Sequence, residues 1–255
     1  MKKILLIINF KTLIIAVLSV ISTYICIRFN IIADYPLTLI ATAIIFPIVF
    51  SINGAYKRRE AALSKYSVMK AHGRAIYFAA RDWLDSPSSD VLSQSKKRLE
   101  ELLISARTMF SNDIDKIREN EVAVYQAFSN LSKFIKVELR QNGLATGEVS
   151  RCNQYLSKMM VCFEDAKHIF QYRTPRTLKT FSTIFITLLP ILYGPYFAHE
   201  ALEYSGYVTY VMPVLFSLVL VSLSNIQDHL ENPFDGVGED DITINVDYFM
   251  KNLED

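Results

Sequence analysis

Glu239, Asp240 and Asp241 stand together near the end of the chain, and carboxylates at that density are what a hard cation needs. Ca²⁺ takes about six to eight oxygens and this spacing is not that of an EF-hand loop, so the cluster is a Ca²⁺ candidate without a full ligand set. A solvated acidic loop is the simpler reading. His72, His168, His199 and His229 are scattered, with no ligand spacing such as HExxH, and none accompanies the acidic cluster at ligand spacing. Cys26, Cys152 and Cys162 lack CxxC spacing, and an odd count cannot form a closed disulfide set, so they read as small apolar fillers in a reducing compartment. There is no GxSxG, no Walker loop, no GxGxxG and no pair of carboxylates in an evident site. The chain therefore reads as a non-enzyme with no cofactor.

The elements that carry these residues are apolar runs interrupted by one charged block. Of the 255 residues 51% are apolar, too many for an ordinary soluble domain, while the charged middle is unlike a compact membrane protein. A net charge of +1 and the lack of a basic stripe interleaved with aromatics argue against nucleic acid as a partner. No charge occurs between Asp34 and Lys57, long enough for a helix to cross a hydrocarbon core of about 30 Å. Lys57, Arg58 and Arg59 then arrive together, marking the cytoplasmic side, and helix-forming sequence continues with hardly a break.

Before this run, Met1 to about Phe10 reads as an interfacial segment and Thr12 to Ile27 as a first span, kept as mature protein because Lys11 interrupts the signal-peptide pattern. The link FNIIADY has no lysine or arginine, as a non-cytoplasmic turn would. From Lys57 to about Arg173 the charge density rises and apolar positions recur at helical spacing, with breaks expected at Ser86 to Ser89, at Asn112 and Asp113, and at Gly143 with Gly147. Val124, Phe128, Leu131 and Ile135 mark one buried helix face. Lys179 to Glu200 and Glu203 to Asp228 bound two further charge-free runs, and Pro190, Gly194 and Pro195 should kink or break the first of them. The positive-inside rule gives one answer: four spans, with both termini and the large insert in the cytoplasm. The expected division is 1–56 for the interfacial segment and spans 1 and 2, 57–175 for a helical cytoplasmic domain, 176–227 for spans 3 and 4, and 228–255 for a cytoplasmic tail.

In this order the chain resembles the bestrophin family, in its bacterial-type branch. The resemblance is carried by FSINGAYKRREAAL at Phe50 to Leu63, by YRTPRTLKTF with LLPILYGPYFA around the third span, and by HLENPFDGVGEDD at His229 to Asp241. Within the last, Glu231, Asn232, Pro233 and Phe234 match the family's signature after the final span. Asp235 stands where the family has glycine, Ser51 and Ile52 where it has arginine and asparagine, and the family's tryptophan pair is absent. In Ca²⁺-regulated animal members an acidic run directly follows the signature; here Gly-Val-Gly displaces it.

The resemblance implies an all-α integral membrane protein, with four transmembrane helices per chain and a helical cytoplasmic domain inserted between spans 2 and 3. It further implies a homopentamer in the cell membrane, conducting small monovalent ions, chloride favoured over sodium, through a central pore. The second span would supply an apolar neck, and the positions matching the family's neck are Thr42, Phe46 and Phe50. The alternative reading is a membrane-anchored signalling or scaffold protein whose cytoplasmic helices bind a partner.

Overall fold

The computed structural model describes residues 7–112, 114–202, 208–234 and 241–253. These fold as helices, with no strand among them. The chain forms two compact units, one of Met1–Lys57 with Arg173–Asn232, the other of Arg58–Tyr172 with Pro233–Asp255. Four helical stretches, Phe10–Arg28, Thr38–Asp82, Thr146–Glu200 and Val208–Glu231, are long and apolar enough to cross a membrane.

In the first unit, helix α1 (Phe10–Arg28) starts where the Asn9 side chain accepts from the Thr12 N–H at 3.1 Å. Its buried face is Thr12, Ile15, Ala16, Ser19, Thr23 and Cys26, a stripe of mostly small residues at helical spacing. Small side chains let backbones approach closely, the usual way membrane helices gain packing energy without a hydrophobic drive between them. Helix α2 (Leu37–Asp82) is the longest element; at 46 residues it extends about 69 Å, more than twice a hydrocarbon core. The division between the units falls inside it, after Lys57.

The third span is two helices, α6 (Arg176–Leu192) and α7 (Gly194–Glu200), as the Pro190, Gly194 and Pro195 pattern predicts. Proline has no N–H, so Pro195 leaves the Ile191 carbonyl without its helical donor. The Ser22 hydroxyl donates to that oxygen at 2.6 Å, Ser19 donates to the Pro190 carbonyl at 2.7 Å, and Tyr35 donates to the Leu192 carbonyl at 2.9 Å. Three consecutive carbonyls at the break are thus capped by side chains from α1 and the link after it. An unpaired carbonyl at membrane depth would cost several kcal/mol, on the order of a lost hydrogen bond in hydrocarbon. Helix α8 (Val208–Glu231) and α6, α7 pack on α1, and Ile15, Ile44, Ile48, Ile186, Tyr193 and Leu220 lie in the shared core.

The second unit holds the rest of α2, then α3 (Ser89–Ser111), a 3₁₀ turn (Ile114–Lys116), α4 (Ile117–Lys133) continuing through a π-helical turn (Phe134–Leu139), and α5 (Thr146–Gln171). Ser88 caps α3 by accepting from Val91 N–H, which explains the break at Ser86 to Ser89. Gly143 takes φ +99°, a left-handed value open to glycine, in the turn that leads to α5. Gly147, expected to share that break, lies inside the first turn of α5. Val124, Phe128, Leu131 and Ile135 are all buried, as their spacing predicts. The short helix α9 (Val246–Lys251) returns to this unit, bringing Phe234, Ile242, Ile244, Val246, Phe249 and Leu253 into its core.

Candidate functional site

On α2, Ala41, Ile44, Ile48, Ser51 and Ala55 are buried at spacings of three or four residues and fix which side of the helix faces the first unit's interior. Thr42, Phe46 and Phe50 lie on the other side. At about 100° per residue they fall within an arc of about 80°. Phe46 and Phe50 are 61% and 59% exposed, and their rings meet edge to face with centroids 4.8 Å apart. An exposed apolar face on a membrane helix is met by lipid, by another chain or by a pore. Rings in such an edge-to-face pair present positive edges as well as negative faces to whatever meets them.

The motif after the last span, Glu231 to Phe234, lies within the described residues. Glu231 is buried at the end of α8, and Lys179 at the start of α6 pairs with it and, at 3.1 Å, with Asp228. A carboxyl group this buried needs such a partner. Asn232 is also buried. The Pro233 carbonyl accepts from the Ile242 N–H at 2.7 Å, and Phe234 stacks on Phe110 with centroids 4.6 Å apart and planes 15° from parallel. Phe170 meets Phe234 edge-on at 6.4 Å. Glu231 thus secures the end of the span, and Phe234 anchors the tail in the second core.

No family model matches the chain, and no curated protein does. Solved structures do. A bacterial bestrophin homologue from Klebsiella pneumoniae superposes with a TM-score of 0.76 at 18% identity, covering 96% of each chain. A single-substitution variant of that homologue gives 0.74 at 19% identity, over 96% of this chain and 98% of the other. A variant described only as a membrane protein gives 0.77 at 16% identity, over 96% and 97%. This chain has the bestrophin fold.

On this bestrophin fold the metal, thiol and histidine candidates separate. Asp241 directly precedes Ile242, while Glu239 and Asp240 lie outside the described residues; among those described, no group of acids, histidines and cysteines is placed to hold a metal. Cys26, Cys152 and Cys162 are buried free thiols, and burial pushes the Cys152 thiol up to about 11. His72 stacks on Tyr155 and His168 lies against Tyr172.

One polar cluster leaves no motif in the sequence. Lys167 on α5, only 12% exposed, bonds Glu121 at 2.8 Å, Glu164 at 2.6 Å and the Tyr125 hydroxyl at 2.7 Å, while the one hydroxyl proton of Tyr125 is shared between Glu121 and Glu164. Burial disfavours the ammonium, but these bonds outweigh it and raise the lysine's pKa overall. The bond from Lys167 holds the Glu121 carboxyl below its usual range, and burial with the acceptors around it pushes Tyr125 up to about 12. Local spacing offers one signal, the Glu121 and Tyr125 pair four apart; the partner on α5 is remote along the chain.

Proposed function

We propose that this chain is an ion channel subunit that assembles as a homopentamer in the cell membrane, with both termini cytoplasmic, and passes small monovalent ions, chloride above sodium, through a central pore. The observation that carries this is the exposed aromatic pair Phe46 and Phe50 on a spanning helix of a bestrophin fold. A single chain with four candidate spans cannot readily enclose a pore, whereas closed rotational symmetry brings the same α2 face from each copy around one axis.

In that arrangement Thr42, Phe46 and Phe50 form stacked rings of a neck. Water withdraws from a narrow apolar tube and takes the ion's solvation with it, so such a neck gates by dewetting. Ring edges turned inward favour anions. Conduction needs no bond made or broken, in keeping with the lack of catalytic motifs.

The test is ion flux into liposomes carrying purified protein, under separate chloride and sodium gradients. Wild type should conduct, chloride faster, and Phe46→Ala with Phe50→Ala should conduct about tenfold or more faster, or lose its ion preference, as the apolar barrier is removed. A folded, oligomeric protein that passes neither ion, before or after the substitutions, would return the chain to an anchoring role.

A further inference from the structure

In the second unit a cavity of about 220 Å³ opens between α2 and α9. Ser67, Lys70 and Arg74 line it from α2, and Tyr248, Phe249 and Asn252 from the tail. Lys70 and Arg74 are one helical turn apart, so both reach from one face and their charges oppose each other. Both are half-buried.

Their other contacts satisfy little of them. The Lys70 ammonium lies 4.4 Å from the centre of the Tyr66 ring, and the Arg74 guanidinium 5.8 Å from that of Phe249. Arg74 Nη2 donates to the Asn252 carbonyl across a long 3.4 Å, and its Nε is buried with no acceptor. Neither forms an ion pair among the described residues, although Lys65, Arg81, Arg98 and Lys167 of the same unit all do. Burial, and then the charge of Arg74, push the Lys70 amine down. Two like charges held together and partly dried call for an anion.

The donors select its kind. A guanidinium presents a planar fork that matches the paired oxygens of a carboxylate or phosphate, and an ammonium adds a point charge beside it. The Ser67 hydroxyl and the Asn252 amide lie on the same walls and can donate as well. The volume is below the range of about 300–1,000 Å³ usual for drug-sized ligands, which suits a compact group. We propose that the cavity between α2 and α9 binds a small oxyanion, a phosphate or carboxylate group, through Lys70 and Arg74. Bound there, the anion ties the tail helix to α2. This inference does not depend on the channel reading.

The test is equilibrium binding of radiolabelled orthophosphate to the purified full-length protein in detergent and chloride buffer, with unlabelled acetate as competitor. Saturable binding is expected at about one site per chain, weakened about tenfold or more by Lys70→Gln with Arg74→Gln. Asn252→Asp, nearly isosteric, sets a fixed carboxylate beside the cations and should weaken binding as much, even if the double variant fails to fold. Lys65→Gln, whose lysine pairs with Asp165 outside the cavity, should bind as wild type does. Displacement by acetate extends the site to carboxylates, and resistance to acetate confines it to phosphate groups; both uphold it. No saturable binding by wild type, or undiminished binding in either cavity variant, overturns it.

Discussion

Gly194 sits at the break of the third span, where an added Cβ would fall 2.3 Å from Ser22 Oγ, 3.1 Å from the Ser22 backbone and 3.2 Å from Cys26 Sγ. The hydroxyl cannot simply turn away, because it is the donor to the Ile191 carbonyl. Gly194→Ala is therefore expected to cost about 1–3 kcal/mol, read as a lower thermal midpoint of the purified protein in detergent; an unchanged midpoint would mean that α1 and α7 do not approach this closely. Phe234→Ala removes a ring stacked on Phe110 from a packed core and should cost about 3–5 kcal/mol in the same assay. Pro190, Gly194 and Pro195 announce the break in the sequence. Ser19, Ser22 and Tyr35 do not announce themselves as its caps, since a hydroxyl in an apolar run names no partner, and these partners lie more than a hundred residues away.

Among the elements, the periodic ones are the most legible. The α4 face of Val124, Phe128 and Leu131 follows from spacing alone, and the continuation of the second span into a long helix from the helix-forming sequence that runs on past Lys57. The π turn at Phe134–Leu139 is not legible, because the same residues fit an α-helical pattern and only packing selects the wider turn. The tail's return to the second core is likewise hidden, its apolar residues being spread around a short helix and a loop.

The bond of α4 to α5 through Lys167 has a pH signature. Glu121 has a depressed pKa, so its contribution is present above the ordinary glutamate value of about 4.3 and is lost as pH falls through the lower folded value. Lys167 has a raised pKa, so its contribution holds below the ordinary lysine value of about 10.4 and is lost as pH rises through the higher folded one. Glu121→Gln should lower the thermal midpoint at neutral pH and flatten its fall on the acid side, in unfolding scans across that range. A variant whose acid limb matches wild type would show that the pair contributes nothing to stability.

At the scale of the whole molecule, the order of four apolar runs around a charged helical block, with Asn-Pro-Phe after the last, is enough to point to the bestrophin fold. Charge-free runs and basic flanks are one-dimensional signals, so spans survive at 18% identity when side-chain detail does not. In the proposed pentamer the surroundings of the exposed face of α2 are set by other copies of the chain, and such an assembly leaves no periodic mark on its own sequence.

Charged, water-soluble thiol reagents applied to liposomes that carry cysteine variants probe that face most directly. The native cysteines are buried, so a new thiol reports on its own position. A pore lined by α2 requires that Thr42→Cys and Phe46→Cys react and that reaction suppress or alter chloride flux, while Val17→Cys, on the exposed side of α1, leaves flux as it was. Thiols at positions 42 and 46 that stay unreactive, or that react without touching flux, would contradict a pore along this helix.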